Sequence, residues 1–573
     1  MSQQENIKNS QIFQSAVEFK PLIRYLALFT AAINLLYIVP SIYMLEVYDR
    51  VLTSSNPATL LFLTLIVIGL YIVMSALEYM RSGLVIKVGE KIDNNLNQRV
   101  FTAAFYQNLK SRKVNAGQAL ADLTVIRQFV TGNGLFAFFD APWFPVYLII
   151  NFLFDFWIGL FTTCCVILLV VLAWINDQVT GPGLKEASEH SNVSMAQASN
   201  NLRHAETIHA MGMLGAMRAR WFKSHQNFLD IQSTTSMRAS HVSSISKFFR
   251  LAMQSLILGL GAWLAINHEI SSGMMIAGSI LLGRALAPVD LIIGVWKQWG
   301  AVVSAYGRLE NLLSENLKDD SDFSLPEPIG TVALEEVYVR FEGAEQYALK
   351  NISLALQPGD CLAVIGQSGA GKSTLGKVLV GLIPPMAGKV RIDGADIYIW
   401  DREHLGKYVG YLAQQPALFA GTIAENICRF GDVDSEKIIK AATLAGIHDL
   451  ILHLPKGYET VVGDGGMGLS GGQIQRIALA QTLFDDPCLI VLDEPNSNLD
   501  QAGEAAFVET LAKLKAAGKT VVYITHSLHL IRHSDKLLLL ENGVIKAFDV
   551  TQKVIEQLAA AASKAAPLTG PSQ

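Results

Sequence analysis

Three stretches of this chain run far enough without a charge to cross a lipid bilayer. Tyr25–Leu45, Val51–Leu77 and Phe156–Asn176 contain no Asp, Glu, Lys or Arg over 21, 27 and 21 residues. A bilayer core takes about 20 apolar residues per helix. Inside it every backbone N–H and C=O must be paired within the segment, so these runs are read as membrane helices. Leu251–His268 is close to that length, while Ala141–Phe154 and Ile270–Gly283 are shorter, Arg284 following the last. Leu251–His268 is read as a fourth span on its length, and connectivity and charge bias make the two shorter runs the remaining spans of a set of six.

With the N-terminus inside, the outer loops hold Glu46, Asp49, Arg50, Asp155 and Glu269, one base among five charges. The inner loops, roughly Arg81–Phe139 and Asp177–Arg250, carry eight Lys or Arg each. That bias places both in the cytoplasm. Each can form two antiparallel helices of about 25 to 30 residues, an arm with ~40 Å of reach. The tips are expected near Gln107–Asn115 and Thr207–Leu214, directed at a cytoplasmic partner. Arg284, Pro288 and Asp290 fall in the sixth span. Ionisable groups at that depth face a bundle interior or wet cavity, so Arg284 is expected to line the cavity. Six positions apart, Arg284 and Asp290 are not on one helix face and are not expected to pair with each other.

Composition changes near residue 314. The 573 residues exceed one domain. Hydrophobic content of 51% against 17% charged residues reflects the membrane half, and a net charge of −5 supplies no basic field for nucleic acid. The five cysteines show no metal spacing and are read as reduced thiols. The polar first twenty residues lack the apolar core of a signal peptide. Ser314–Pro328, acidic and proline-ended, reads as a linker. Short strands then follow, Val332–Val339, Ile352–Leu356 and Cys361–Ile365, leading into GQSGAGKS at Gly366–Ser373.

That octapeptide fits G-x-x-x-x-G-K-[ST] after an apolar strand and before a helix, the context a phosphate-binding loop requires. The backbone N–H groups of Gly369–Lys372 are expected to cradle phosphates, with Lys372 reaching the β- and γ-phosphates and Ser373 holding Mg²⁺. Further on, Gly463–Glu494 joins a glycine-rich turn, the pentapeptide LSGGQ (Leu469–Gln473), a helical run and the apolar strand Leu489–Leu492. Bare backbone N–H groups at a helix start suit an anion. Asp493, ending the strand, suits Mg²⁺, and Glu494 is the natural general base for an attacking water. Gln414, at the end of YVGYLAQ, is placed to reach the metal or the water. His526, ending Thr520–Thr525, is placed to hydrogen-bond a γ-phosphate. Asn498–Asp500 read as a turn.

In this order GQSGAGKS, LSGGQ, LIVLDE and the Thr525–His526 pair resemble the ATP-binding cassette of ABC transporters over about 230 residues. The resemblance implies Walker A at Gly366–Ser373, the Q-loop at Gln414, the signature at Leu469–Gln473 and Walker B at Leu489–Asp493. It further implies Glu494 as catalytic base, Ser497–Asp500 as D-loop and His526 as switch histidine. Thr460–Gly466 is similar to the exporter X-loop, with Asp464 where Glu is usual. ATP would touch Gly366, Gln367, Ser368, Gly369, Ala370, Gly371, Lys372, Ser373 and Thr374, with Phe341 or Tyr347 stacking on adenine. Ser470, Gly471, Gly472, Gln473 and Asp500 would complete the partner subunit's site, so a homodimer is implied. The Mg²⁺ ligands would be Ser373, Gln414 and Asp493.

Six spans ahead of one cassette resemble an exporter half-transporter. MLEVYDRVLTSSN (Met44–Asn56), DAPWFPVYLI (Asp140–Ile149), GRALAPVD (Gly283–Asp290) and GDGGMGLSGGQ (Gly463–Gln473) look like type I secretion permease/ATPases of the protease, lipase and S-layer branch. The peptidase-like domain of haemolysin and bacteriocin exporters is expected to be absent. The resemblance implies a bacterial inner-membrane ATPase exporting polypeptides with an uncleaved C-terminal signal, with a periplasmic adaptor (membrane fusion protein) and an outer-membrane channel of the TolC type. Export of a lipid, glycan or drug is the alternative. The expected architecture is multi-domain: a six-helix transmembrane bundle with long cytoplasmic helical arms, fused to an α/β P-loop cassette. Its parts are residues 1–20 as a cytoplasmic segment, 21–313 as the membrane domain, 314–329 as linker, 330–557 as cassette and 558–573 as a disordered tail.

Overall fold

The computed structural model describes residues 20–110, 116–315, 325–341 and 343–565. They divide into two compact units, Met1–Lys318 and Asp319–Gln573.

In the first unit six helical segments are long and apolar enough to cross a membrane: Lys20–Ser54, Pro57–Leu109, Gly134–Phe154, Phe156–Arg203, Leu214–Ile266 and Ser272–Trp296. The second starts at Pro57, not at Val51 as the charge-free run suggested. Asn56 accepts the N–H of Ala58 at 3.0 Å and Pro57 takes the first helical position, so the chain restarts there. Ser55, at φ 51°, makes the break. Asp155 caps the fourth helix the same way, accepting from Trp157 and Ile158. The third span begins at Gly134, about two turns before Ala141. The sixth runs unbroken through Arg284, Pro288 and Asp290 to Glu315.

The helices continue well past bilayer length. Pro57–Lys110 has 54 residues, Phe156–Arg203 48 and Leu214–Ile266 53, or ~70–80 Å each at 1.5 Å per residue. Between the last two, the short helix Ala205–Ala210 and a turn with Gly212 at φ 64° form the second arm's tip. Of the first tip, residues 111–115 lie outside the described residues. The first arm packs as Pro57–Lys110 against Ala116–Thr131 and the end of the sixth helix, burying Leu96, Val100, Leu123, Leu309 and Leu313. Beside that core Arg308 grips Asp122 through two hydrogen bonds of 2.8 and 2.7 Å.

Polar residues of the secretion-type motifs knit the spans. Asp49, in a π-helical turn at Val47–Val51, accepts the Ser271 hydroxyl at 2.5 Å and the Gly273 N–H at 2.9 Å, tying the first helix to the start of the sixth. Asp140 accepts from Asn34 at 2.9 Å and Arg81 at 3.2 Å. Arg284 stands 4.1 Å over the Tyr37 ring, and Tyr37 donates to Glu78 at 2.7 Å. Asp290 pairs with Arg250 of the preceding helix at 3.1 Å.

The second unit has two principal sheets. Its strands are β1 (Val332–Val339), β2 (Leu349–Leu356), β3 (Cys361–Gly366), β4 (Ala387–Ile392), β5 (Ala395–Asp396), β6 (Val409–Leu412), β7 (Gly421–Thr422), β8 (Val461–Val462), β9 (Leu489–Asp493), β10 (Thr520–Ile524), β11 (Lys536–Glu541) and β12 (Val544–Val550). The order β12-β11-β3-β10-β9-β6 is parallel except at β12, and β2-β1-β4-β5 is antiparallel. β9 and β10 are buried at every residue, which is why both read as unbroken apolar runs. The last helix spans Thr551–Ala565, so the tail expected to be disordered from 558 begins as helix; 566–573 lie outside the described residues, as do 1–19 and 316–324 of the end segment and linker.

Candidate active site

Parallel strands deliver their carboxyl ends to one edge of the sheet, and ligands bind along that edge. Here β3 ends in the phosphate-binding loop, β6 leads to Gln414, β9 ends at Asp493 and Glu494 follows, and β10 leads to His526. Four segments up to 160 residues apart in sequence therefore meet because the sheet order interleaves them.

The loop between β3 and the helix Lys372–Leu379 exposes Gln367, Ser368 and Gly369 and buries Ala370. Gly371 sits at φ 100°, and an added Cβ would lie 2.5 Å from the Ala348 carbonyl, so glycine is required there. The Lys372 ammonium, on a residue 6% exposed, donates to the Gly366 and Gln367 carbonyls at 2.9 Å each. Burial lowers its pKa, against the pull of the Glu494 and Asp493 carboxylates. Ser373 Oγ donates to Asp493 Oδ1 at 3.2 Å, and Thr374 lies half-buried one residue on in the same helix.

Asp493 is 2% exposed, and burial raises its pKa, opposed by the Ser373 hydroxyl and two lysines. A buried carboxylate beside a hydroxyl is a pair of hard oxygens, the kind of donor Mg²⁺ takes. Glu494 adopts φ 51°, in the left-handed region that costs a non-glycine residue of order 1 kcal/mol or more. Its N–H is held by the Ile524 carbonyl at 3.1 Å. Its carboxylate accepts from Gln414 Nε2 at 3.0 Å and lies 3.6 Å from His526 Nε2. The strained turn thus aims one acid between the other two side chains.

The signature forms a reciprocal cap. Ser470 accepts the Gln473 N–H at 3.3 Å, and the Gln473 side chain accepts the Ser470 N–H at 2.8 Å, starting the helix Gly471–Leu483 with its glycine N–H groups bare. Asp500 caps Gln501–Ala516 through the Gly503 N–H at 2.8 Å. Phe341 is half-exposed just beyond β1 and has no ring partner among the described residues. Tyr347 packs edge-on to Tyr338 under the Arg340 guanidinium, 5.4 Å away. The Asp464 side chain lies outside the described residues.

Sequence reasoning missed Gln475. This side chain, 2% exposed, donates to the Glu494 and Pro495 carbonyls at 3.1 and 2.6 Å and accepts the Asn498 N–H at 3.1 Å. The available signal was a glutamine on the apolar face of IQRIALAQTLF, where a buried amide must find partners.

A membrane-spanning helical unit joined to a cassette with this edge defines an ATP-driven transporter of exporter architecture. Residues 23–287 match the ABC transporter transmembrane region and 349–497 the ABC transporter domain. The type I secretion system ATP-binding protein PrsD of Rhizobium meliloti (strain 1021) is 40% identical over 92% of this chain and 91% of its own. The alpha-hemolysin translocation ATP-binding protein HlyB of Escherichia coli O157:H7 is 27% identical over 96% and 78%. A bacterial Atm1-family ABC exporter solved with ATP bound shares the fold, at TM-score 0.82 and 21% identity over 96% of this chain and 99% of that one. The chain belongs to the ABC transporters, among the type I secretion ATP-binding proteins. It is a multi-pass protein of the bacterial inner membrane with its ATPase cassette in the cytoplasm.

Proposed function

We propose that the chain, as a homodimer, exports unfolded polypeptides carrying a C-terminal signal, through a periplasmic adaptor and an outer-membrane channel of the TolC type. The reading is supported by the 40% identity to a type I secretion protein across nearly the whole length of both. For the chemistry, the carrying observation is the Glu494 carboxylate between Gln414 and His526, one residue beyond Asp493.

Glu494 accepts a proton from the attacking water, Gln414 and His526 fix the carboxylate's direction, and His526 reaches the γ-phosphate. Lys372 exchanges its loop carbonyls for phosphate oxygens. Backbone N–H groups of Gly369–Lys372 hold the phosphates within the nucleotide-contacting stretch Gly366–Thr374, and Phe341 stacks on adenine. Ser470, Gly471, Gly472, Gln473 and Asp500 close over ATP on the other protomer. Ser373, Asp493 and Gln414 would hold Mg²⁺, which when bound neutralises phosphate charge.

The test is steady-state phosphate release from the nanodisc-held protein. A peptide from the last ~50 residues of a co-encoded secreted protein, a length that presents bare chain to an interface, should change the rate. A scrambled peptide should not. If only lipid or drug panels shift the rate, the polypeptide reading fails.

A further inference from the structure

A nucleotide site divided between two protomers needs a device that tells one site what the other is doing. Within each cassette the connection must run from the signature helix, which serves the partner's nucleotide, to Glu494, which serves its own. One buried side chain makes that connection directly. We infer that Gln475 is a positioning residue that couples the two ATP sites, setting the Glu494 turn according to the seating of its own signature helix; this rests on the assignment of Glu494 and LSGGQ above.

The amide of Gln475 uses both its ends on the same five-residue turn. Its Nε2 donates to the Glu494 carbonyl at 3.1 Å and the Pro495 carbonyl at 2.6 Å, with the Ser497 hydroxyl at 3.5 Å. Its Oε1 accepts the N–H of Asn498 at 3.1 Å. The acceptor carbonyls are those of the strained residue itself, Glu494 at φ 51°, and of the next, and with the Ile524 carbonyl on the Glu494 N–H they over-determine the backbone there. Contact with the signature is also close from the other side. A Cβ on Gly472 would stand 3.0 Å from the Asn498 carbonyl. The turn therefore cannot shift independently of the helix start. It then reaches onward, because Asn496 Oδ1 accepts the Thr525 hydroxyl at 3.4 Å, next to His526. A displacement of Gly471 and Gly472 when they close on a phosphate is carried by Gln475 to the carbonyl of Glu494, and so to the angle of its carboxylate.

This chain of contacts is carried by hydrogen bonds, so side-chain shape and donor pattern can be separated. Gln475→Leu keeps the approximate volume and removes every bond. Gln475→Glu keeps the shape, and as a neutral acid it can donate to Pro495 while accepting from Asn498; as a carboxylate it faces two carbonyls and repels them. The measurement is ATPase rate against ATP concentration for the full-length protein, with nucleotide binding by trinitrophenyl-ATP and thermal unfolding beside it. Gln475→Leu should lower kcat by about ten- to a hundredfold, the scale of a mispositioned base. ATP binding should stay within about threefold, and the dependence on ATP should lose its cooperativity. Gln475→Glu should be impaired at pH 8, and its rate relative to the parent should rise as pH falls toward 6, as the buried carboxyl takes up its proton. A merely structural glutamine would give a lower melting temperature with no pH-dependent recovery.

The inference is overturned if Gln475→Leu folds and keeps both kcat and cooperativity. It is overturned equally if the Gln475→Glu to parent ratio is flat with pH, which decides the matter should the leucine variant fail to fold. Glu494→Gln run in parallel separates the two levels. If Glu494→Gln retains turnover, the site assignment itself is wrong. If it is inactive while Gln475→Leu is unaffected, only the coupling fails.

Discussion

Replacing Glu494, the proposed base, by glutamine would keep the shape of the side chain and its neighbours but lose the capacity to accept the water's proton. Glu494→Gln should therefore bind ATP and hydrolyse it about 10²–10⁴-fold more slowly, with the ATP-bound dimer accumulating on size-exclusion chromatography; turnover within a few-fold of the parent would remove Glu494 from that role. At Asp493 the sign of the pKa shift gives a second test. Burial raises this carboxyl above its ordinary range. Its contribution to folding is therefore present at acid pH and is lost as pH rises through the raised value. Asp493→Asn should melt about 2 °C higher than the parent at pH 7.5 without nucleotide, a fraction of a kcal/mol in a unit this size. The gap should close on acidification, and the variant should lose stabilisation by Mg²⁺ with ATP. Phe341→Ala should raise the ATP KM by a stacking energy of ~1–3 kcal/mol, because Tyr347 is already engaged by Tyr338 and Arg340; a larger effect from Tyr347→Ala would move the assignment. The residues named from motifs were legible because phosphate chemistry limits which side chains serve at each spacing. Gln475 and the left-handed turn of Glu494 were not, since their meaning lies in backbone partners about twenty positions away.

Among elements, the six spans could be read from charge-free runs, yet their ends could not. Hydropathy reports where charge begins, whereas helices end where a cap or break ends them. Asn56 with Pro57 starts the second span six residues after the apolar run begins, and Asp155 starts the fourth. Arg284 did not end the sixth helix because the Tyr37 ring receives its guanidinium, and Asp290 continued it because Arg250 answers its charge. The antiparallel sheet was also only partly visible, as β1 pairs with β4 across 49 to 60 positions, Tyr338 opposite Ala387 and Val332 opposite Ile392. In the first arm, Asp122 is 2% exposed and depends on Arg308, with Gln118 donating at 2.9 Å. Arg308→Ala should cost about 2 kcal/mol, reduced from the fully buried case because the arginine is partly exposed. Limited proteolysis should then cleave the arm faster in the variant, and equal rates would show the pair to be dispensable.

For the molecule as a whole, the division into a helical membrane half and an α/β half was plain from composition. One chain holds only half of each proposed catalytic site, and the stoichiometry can be tested by mixing two broken chains. Lys372→Ala damages the phosphate-binding loop. Gly471→Asp puts a carboxylate at the signature's N–H groups, where the nearest atoms to an added Cβ are 3.8 Å away on Asn498, so the cassette has room to fold. Either variant alone spoils both sites of a homodimer. Co-expressed in equal amounts with random pairing, about half the dimers carry one chain of each kind. If the signature serves the partner's ATP, each such dimer has one site with intact Lys372 from one chain and intact Gly471 from the other. Its second site carries both defects. Phosphate release should then recover to at most about a quarter of the parent rate, one site in two over half the population, and coupling to the dead site lowers it below that ceiling. If each chain instead completed its own site, every site in the mixture would hold one defect and no recovery would follow.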